Sequence, residues 1–379
     1  MADLLEDPSL PYFIQWTSDP SHHPSLDEPA HVAAVACEIA GDRDRIRDYL
    51  LHDNVQLGAS YAASQQAGER VLAARRAVAL LVNAPHDDEI VMGPSTTALI
   101  GTLVEALRPD LRPGDEVIVT ESDHEANIGA WTRLADIGVV VRVWRVDAES
   151  LGLRLQDLDP LIGPRTKWIA MTQASNILGT ITPVAEVARR AHAAGAKLCV
   201  DAVAYAPHRL VDVQASGADA VVFSFYKVFG PHYAVLWVRR ELLLQLPSLN
   251  HFFIGADVIP YKLQRGNVNY ELSWGCAGIA DYLRDVGTEL GATGSDRARM
   301  QADSWDAAKW TLMEHQCEPH PADYAVRGPG SLRIWADMDP VTKDVVAYHT
   351  QTMWMNPERI IYLDGRPHPS EYAPHTWGG

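Results

Sequence analysis

The chain has 379 residues, 47% of them hydrophobic, with 32 Lys and Arg set against 49 Asp and Glu for a formal charge of −17. That length is enough to bury a sizeable core and to hold two or three domains. The acidic balance argues against nucleic acid or an anionic membrane as a partner, because phosphate binding needs clustered cations. Cys37, Cys199, Cys276 and Cys317 are far apart and form no CxxC pair, which suits a reducing compartment better than a disulfide framework. The first residues lack a basic region followed by an apolar one, and no apolar run is long enough to span a bilayer, so a cytoplasmic protein with no membrane partner is expected.

In chain order, residues 68–81 are rich in Ala, Arg, Val and Leu at helical spacing and lack proline, which predicts a helix. A strand at 89–92 leads through Gly93 and Pro94 into Ser95, Thr96 and a helix over 96–107. A Ser or Thr at such a start caps the helix and leaves backbone N–H groups and the positive dipole end free to hold an anion. Strands are predicted at 116–120, 139–144 and 168–171, with helices over 155–162 and 183–194. An apolar run at 197–200 then ends in Asp201, and a second at 220–223 ends in Ser224, Phe225, Tyr226 and Lys227. A strand at 233–238 and helices over 241–246 and 275–290 follow.

The runs ending in Asp201 and Lys227 read as short buried strands of a parallel sheet. Ligands of open α/β sheets sit outside the carboxyl ends of strands, so this acid and this amine would face one crevice. A pyridoxal phosphate enzyme requires that arrangement. Its lysine holds the cofactor aldehyde as a Schiff base, and its acid keeps the pyridine nitrogen protonated so that the ring accepts electrons.

With Ser224 and Tyr226 just ahead of the lysine, this stretch resembles the class V aminotransferases of fold type I, in their cysteine-desulfurase-like branch. The resemblance runs over about residues 44–290. It implies an α/β large domain with a mainly parallel seven-stranded sheet and helices on both faces, acting on an amino acid as a lyase or transferase. Lys227 would carry the Schiff base and Asp201 would pair with the ring nitrogen. The resemblance places the cofactor phosphate at Ser95 and Thr96, and puts His124 against the cofactor ring, where it helps position or exchange a proton. Asn176, in the run Ser175-Asn176-x-x-Gly179, would lie beside the cofactor phenolate and the substrate carboxylate, with Ser224 and Tyr226 beside the cofactor. Gly266 and Asn267 match a segment that reaches the neighbouring subunit's phosphate, which implies a homodimer. Two positions depart from the pattern: Ala204 stands where the group commonly carries Gln or His, and Tyr226 replaces the usual His before the lysine.

The flanks do not match. Residues 1–43 form an atypical N-terminal segment with a faint likeness to glyoxalase-like proteins, and the adjacent His22 and His23 read as a surface loop. Residues 291–379 are rich in Pro, His and Trp, holding five of the eleven tryptophans and five of the fifteen histidines after residue 300. This tail stands where the family carries a small α/β domain. His315, Cys317 and His320 are too tightly spaced, without a fourth ligand, to be read as a metal site. A composite chain is therefore expected, in which the core keeps the cofactor groups and the substrate groups are in doubt. Its alternative function is that of a cofactor-binding but catalytically impaired protein.

Overall fold

The computed structural model describes residues 44–289 and 291–301, and the backbone of four later strands. The N-terminal segment, His315, Cys317 and His320 lie outside the described residues.

The main body opens with α1 (44–52) and α2 (Ala62–Val82). Then come β1 (Ile90–Gly93), α3 (Thr96–Leu107), β2 (Glu116–Thr120), α4 (Glu125–Thr132), β3 (Val140–Trp144) and β4 (Thr166–Thr172). The order continues with α5 (Val184–Ala193), β5 (Lys197–Asp201), β6 (Ala220–Ser224) and β7 (Ala234–Val238), and closes with α6 (Tyr270–Glu289) and α7 (Asp296–Met300). Together these strands make one seven-stranded sheet in the order β1-β7-β6-β5-β4-β2-β3. All neighbours are parallel except the two pairs made by β7, which runs against the rest. The mainly parallel sheet expected from the sequence is therefore present, with helices on both faces.

Alternation along each strand divides the core in two. Ile118, Ile169, Leu198, Val200 and Val221 pack in one cluster with Val78 of α2, Val187 of α5 and Ile279 of α6. Their neighbours Val117, Val119, Ala170, Cys199 and Val222 pack on the other face with Leu99 and Leu103 of α3 and Trp131 of α4. Both faces being covered explains why the central strands read as continuous apolar runs.

Three helices differ from expectation for local reasons. The helix predicted over 155–162 is a single α turn, Leu155–Leu158, followed by a 3₁₀ turn, because Pro160 has no N–H and restricts the residue before it. α6 starts at Tyr270 rather than 275, since the Asn269 side chain accepts the Leu272 N–H at 2.7 Å and so caps it. α2 begins at Ala62, six residues before the predicted start, where buried Ser64 donates to the Gln56 carbonyl at 2.7 Å. α7 was not expected. Its Met300 is 1% exposed within the first core cluster, and Arg297 donates to the carbonyls of Leu80, Leu81 and Val211. The large body thus includes residues past 290.

Strands β8 (Asp323–Val326), β9 (Arg333–Met338), β10 (Val345–Gln351) and β11 (Ile361–Tyr362) form a separate antiparallel sheet in the order β11-β10-β9-β8.

α7 docks on α6 at Gly287, where an added Cβ would run into the Arg299 carbonyl. Gly287→Ala should therefore lose about 1–3 kcal/mol of stability by overpacking, read from the urea midpoint. An unchanged midpoint would mean that α7 does not pack there.

Candidate active site

Asp201 is the last residue of β5 and pairs with Thr172 on β4 and Val222 on β6. Ser224 ends β6, and one 3₁₀ turn later comes Lys227. Acid and amine therefore stand at the same edge of adjacent strands. Asp201 is 3% exposed, and its Oδ1 accepts the Val203 N–H at 2.8 Å. Burial pushes its pKa up to about 6, while that N–H and the Lys227 charge pull the other way. Among the described residues it makes no ion pair. Lys227 is half-buried, and desolvation holds its pKa below the ordinary lysine value against the pull of Asp201. The amine is thus easier to deprotonate than a surface lysine.

His124 is the N-cap of α4, and its Nδ1 accepts the Ala126 N–H at 3.0 Å. That contact leaves the neutral ring's hydrogen on Nε2. The residue is exposed at the mouth; desolvation of the ring, and then the Lys227 charge, lower its pKa. His124 and Asp201 both interact electrostatically with Lys227, so the three groups share one crevice.

The remaining expected residues are distributed around this centre. Ser175, fully buried, donates to the Ser122 carbonyl at 2.8 Å and accepts the N–H groups of Ile177 and Leu178. It ties the turn bearing half-buried Asn176 to the loop just before His124. Gly179 closes that turn at φ +70°, a backbone shape that glycine adopts freely. Ser95 caps α3 by accepting the Ala98 N–H at 3.2 Å, and the Thr96 hydroxyl lies 2.7 Å from that of Ser224 in a buried contact. Neither hydroxyl is idle. The first-turn N–H groups of Thr96 and Thr97, ahead of those that bond to Ser95, are the orphan donors of this helix start. The Tyr226 ring stacks on His232 with centroids 4.8 Å apart, and the Lys227 amine is 5.9 Å from the Tyr226 ring centre.

Gly266 and Asn267 stand apart from the acid and the amine. Both are exposed; the Asn250 side chain accepts the Gly266 N–H at 3.1 Å, and Asn267 lines a cavity of about 840 Å³ with Gly93, Pro94 and Ala98 beside the start of α3. Asp201 and Lys227 are not among its lining residues.

Sequence reasoning missed Asp123, which is 8% exposed behind His124, and His232 under Tyr226. It also passed over exposed Thr97. A signal for Asp123 was available: it directly precedes the N-cap of α4.

A mostly parallel α/β sheet that delivers a desolvated amine and a buried acid to one carboxyl edge defines a protein built around a ligand crevice. The family description "Aminotransferase class-V" matches residues 43–283. The chain belongs to that family and is cysteine desulfurase-like. It is 41% identical over 241 residues to an aminotransferase-like protein of Gibberella zeae, covering 63% of this chain and 59% of that one. It is 34% identical over 261 residues to a cysteine desulfurase of Serratia proteamaculans, covering 65% and 64% of the two chains. The match thus spans about three fifths of these relatives. A crystal structure of the Escherichia coli cysteine desulfurase CsdA superposes with a TM-score of 0.61 at 30% identity, over 78% of this chain and 75% of that one.

Ser175→Ala would leave the Ser122 carbonyl and two N–H groups without their partner, so a loss of about 1–3 kcal/mol is expected. Hydrogen exchange at residues 176–179 should rise in step with the loss. If the melting temperature and exchange rates stay at wild-type values, Ser175 does not hold the turn.

Proposed function

We propose that this chain is a pyridoxal 5'-phosphate enzyme acting on an amino acid through Lys227, with a cysteine-desulfurase-like or carbon–sulfur lyase-like outcome. The observation that carries the reading is the placement of Asp201 and Lys227 at neighbouring strand ends, each desolvated and each shifted by the other's charge. The residues present fit the cofactor. Asp201 is a buried acid that makes no ion pair among the described residues, suited to a pyridine nitrogen, and Lys227 is a partly desolvated amine suited to an aldehyde. The free N–H groups at the start of α3, with the Ser95 and Thr96 cap beside them, suit a phosphate.

When bound, the cofactor supplies an aldehyde and a ring that accepts electrons. The chain's own groups do the rest. Lys227 Nζ and the His124 ring, both with pKa lowered chiefly by desolvation, are the groups placed to take a proton from a substrate Cα. The Ser175 turn presents Asn176 to the substrate side of the crevice, and the Tyr226–His232 stack restrains the turn that carries Lys227. Ala204, 3% exposed, offers only a methyl group where the wider group carries Gln or His, so it would give a bound cofactor no hydrogen bond. The exposed Gly266–Asn267 segment supports a two-copy assembly in which it serves the neighbouring subunit.

Incubation with pyridoxal 5'-phosphate followed by borohydride should label Lys227, and Lys227→Ala should lose the label while keeping its far-UV circular dichroism. A label that survives in Lys227→Ala would overturn the proposal. The pH dependence follows from Asp201: its charge is present above about pH 6 and is lost as pH falls through that value. Cofactor affinity should therefore drop on the acid side with a midpoint near there, and Asp201→Asn should abolish this limb. Spectral change with cysteine and sulfide release would support the carbon–sulfur outcome, whereas bound cofactor insensitive to every amino acid would favour a cofactor-holding protein without turnover.

A further inference from the structure

We infer that Asp123 is a neutral carboxylic acid, a positioning residue that fixes the His124 turn without placing a second negative charge beside Asp201. Its contacts are all short-range. Oδ1 accepts the His124 N–H at 2.8 Å, while Oδ2 lies 3.0 Å from the Thr120 hydroxyl and 2.7 Å from the Asn127 side-chain amide. No Lys, Arg or His side chain pairs with it among the described residues.

These contacts do not require an anion. Only the His124 N–H obliges an acceptor, and the carbonyl oxygen of a protonated acid supplies one. The Thr120 hydroxyl can donate or accept. The Asn127 amide has oxygen and nitrogen of nearly equal shape, and its Oδ1, in a residue fully buried, has no partner among the described residues. Turning that amide over lets the acid hydroxyl donate to it across the same 2.7 Å.

With the contacts indifferent, burial and charge decide. Asp123 and Asp201 interact, and two carboxylates in one desolvated site cannot both ionise freely. Asp201 has Lys227 to favour its charge, whereas Asp123 has no cation, so Asp123 keeps the proton. Burial first, and then the Asp201 charge, push its pKa well above the usual carboxylate range, against the hydrogen bonds from Asn127, the His124 N–H and Thr120. Of the other acids nearby, Glu125 is exposed beside His124, and Asp219 pairs with His192 and Arg239. Cys199 is a buried thiol pushed up by desolvation and then by the Asp201 charge, His124 is exposed and Lys227 is half-buried. One negative charge thus remains in the crevice, on Asp201, facing the position proposed for the cofactor nitrogen.

What that charge is for rests on the function proposed above, but where the proton sits is measurable without cofactor. Infrared spectra of the cofactor-free full chain near neutral pH should show a protonated-carboxyl C=O band that Asp123→Asn removes. Asp201→Asn should move the loss of this band to lower pH, because the like charge is gone; a purely structural acid would not respond. Stability supplies a second readout. An acid whose folded pKa is raised costs stability progressively as pH rises from its unfolded value of about 4 toward the folded one, so the melting temperature of Asp123→Asn should gain on wild type over that interval. Absence of the band in wild type, a titration unmoved by Asp201→Asn, or an Asp123→Asn melting temperature that falls relative to wild type as pH rises would each overturn the inference. So would failure of Asp123→Asn to fold, since a neutral amide should stand in for a neutral acid. The labelling of Lys227 can fail without touching any of these results.

Discussion

The attraction between Asp201 and Lys227 across the ends of β5 and β6 is the constraint on which the rest of the site depends. It exists because the register sets Cys199 against Ala220 and Asp201 against Val222, so that one strand delivers its acid just before the next delivers its amine. Strand alternation then does something further. Asp201 shares the parity of Cys199, which packs with Trp131 of α4, so the acid falls on the same face of the sheet as the helix that His124 caps. A slip of one residue would turn the acid to the opposite face, toward α2 and α6.

The core beneath supplies the electrostatics. The burial that stabilises the sheet also raises the Asp201 pKa and lowers that of Lys227. A shift of one pKa unit corresponds to about 1.4 kcal/mol between protonation states. Small changes in packing under this edge therefore register directly as changes in which group holds a proton.

The parts of this arrangement legible in the sequence were those with a local cause. Continuous apolar runs at 197–200 and 220–223 read as buried parallel strands, and the chemistry at their ends followed from position alone. The Thr96–Leu107 helix and the Glu116–Thr120 strand were found to the residue, because caps and turn residues bound them. What was not legible depends on distant partners. Thr96 and Ser95 looked equivalent, yet one hydroxyl bonds to Ser224, 128 residues away, while the other caps its own helix. Asp123 sits in a polar turn that reads as surface, and only α4 folding over the sheet edge buries it. α7 is too short to show a period, and it is held by Met300 in the first core cluster and by Arg297 contacts with residues more than eighty positions earlier.

The cysteines bear on which outcome the crevice favours. A thiol that relays sulfur must be accessible and readily ionised. Cys199 and Cys276 are 0% and 1% exposed, and desolvation, followed by the Asp201 charge, drives Cys199 further toward the neutral thiol. Neither can present a thiolate beside Lys227. Transfer of sulfur to a protein thiol would then need a cysteine from beyond the described body or from another molecule. In the lyase-like outcome proposed above, the bound cofactor would supply the electron sink and sulfide would leave to water without a protein thiol.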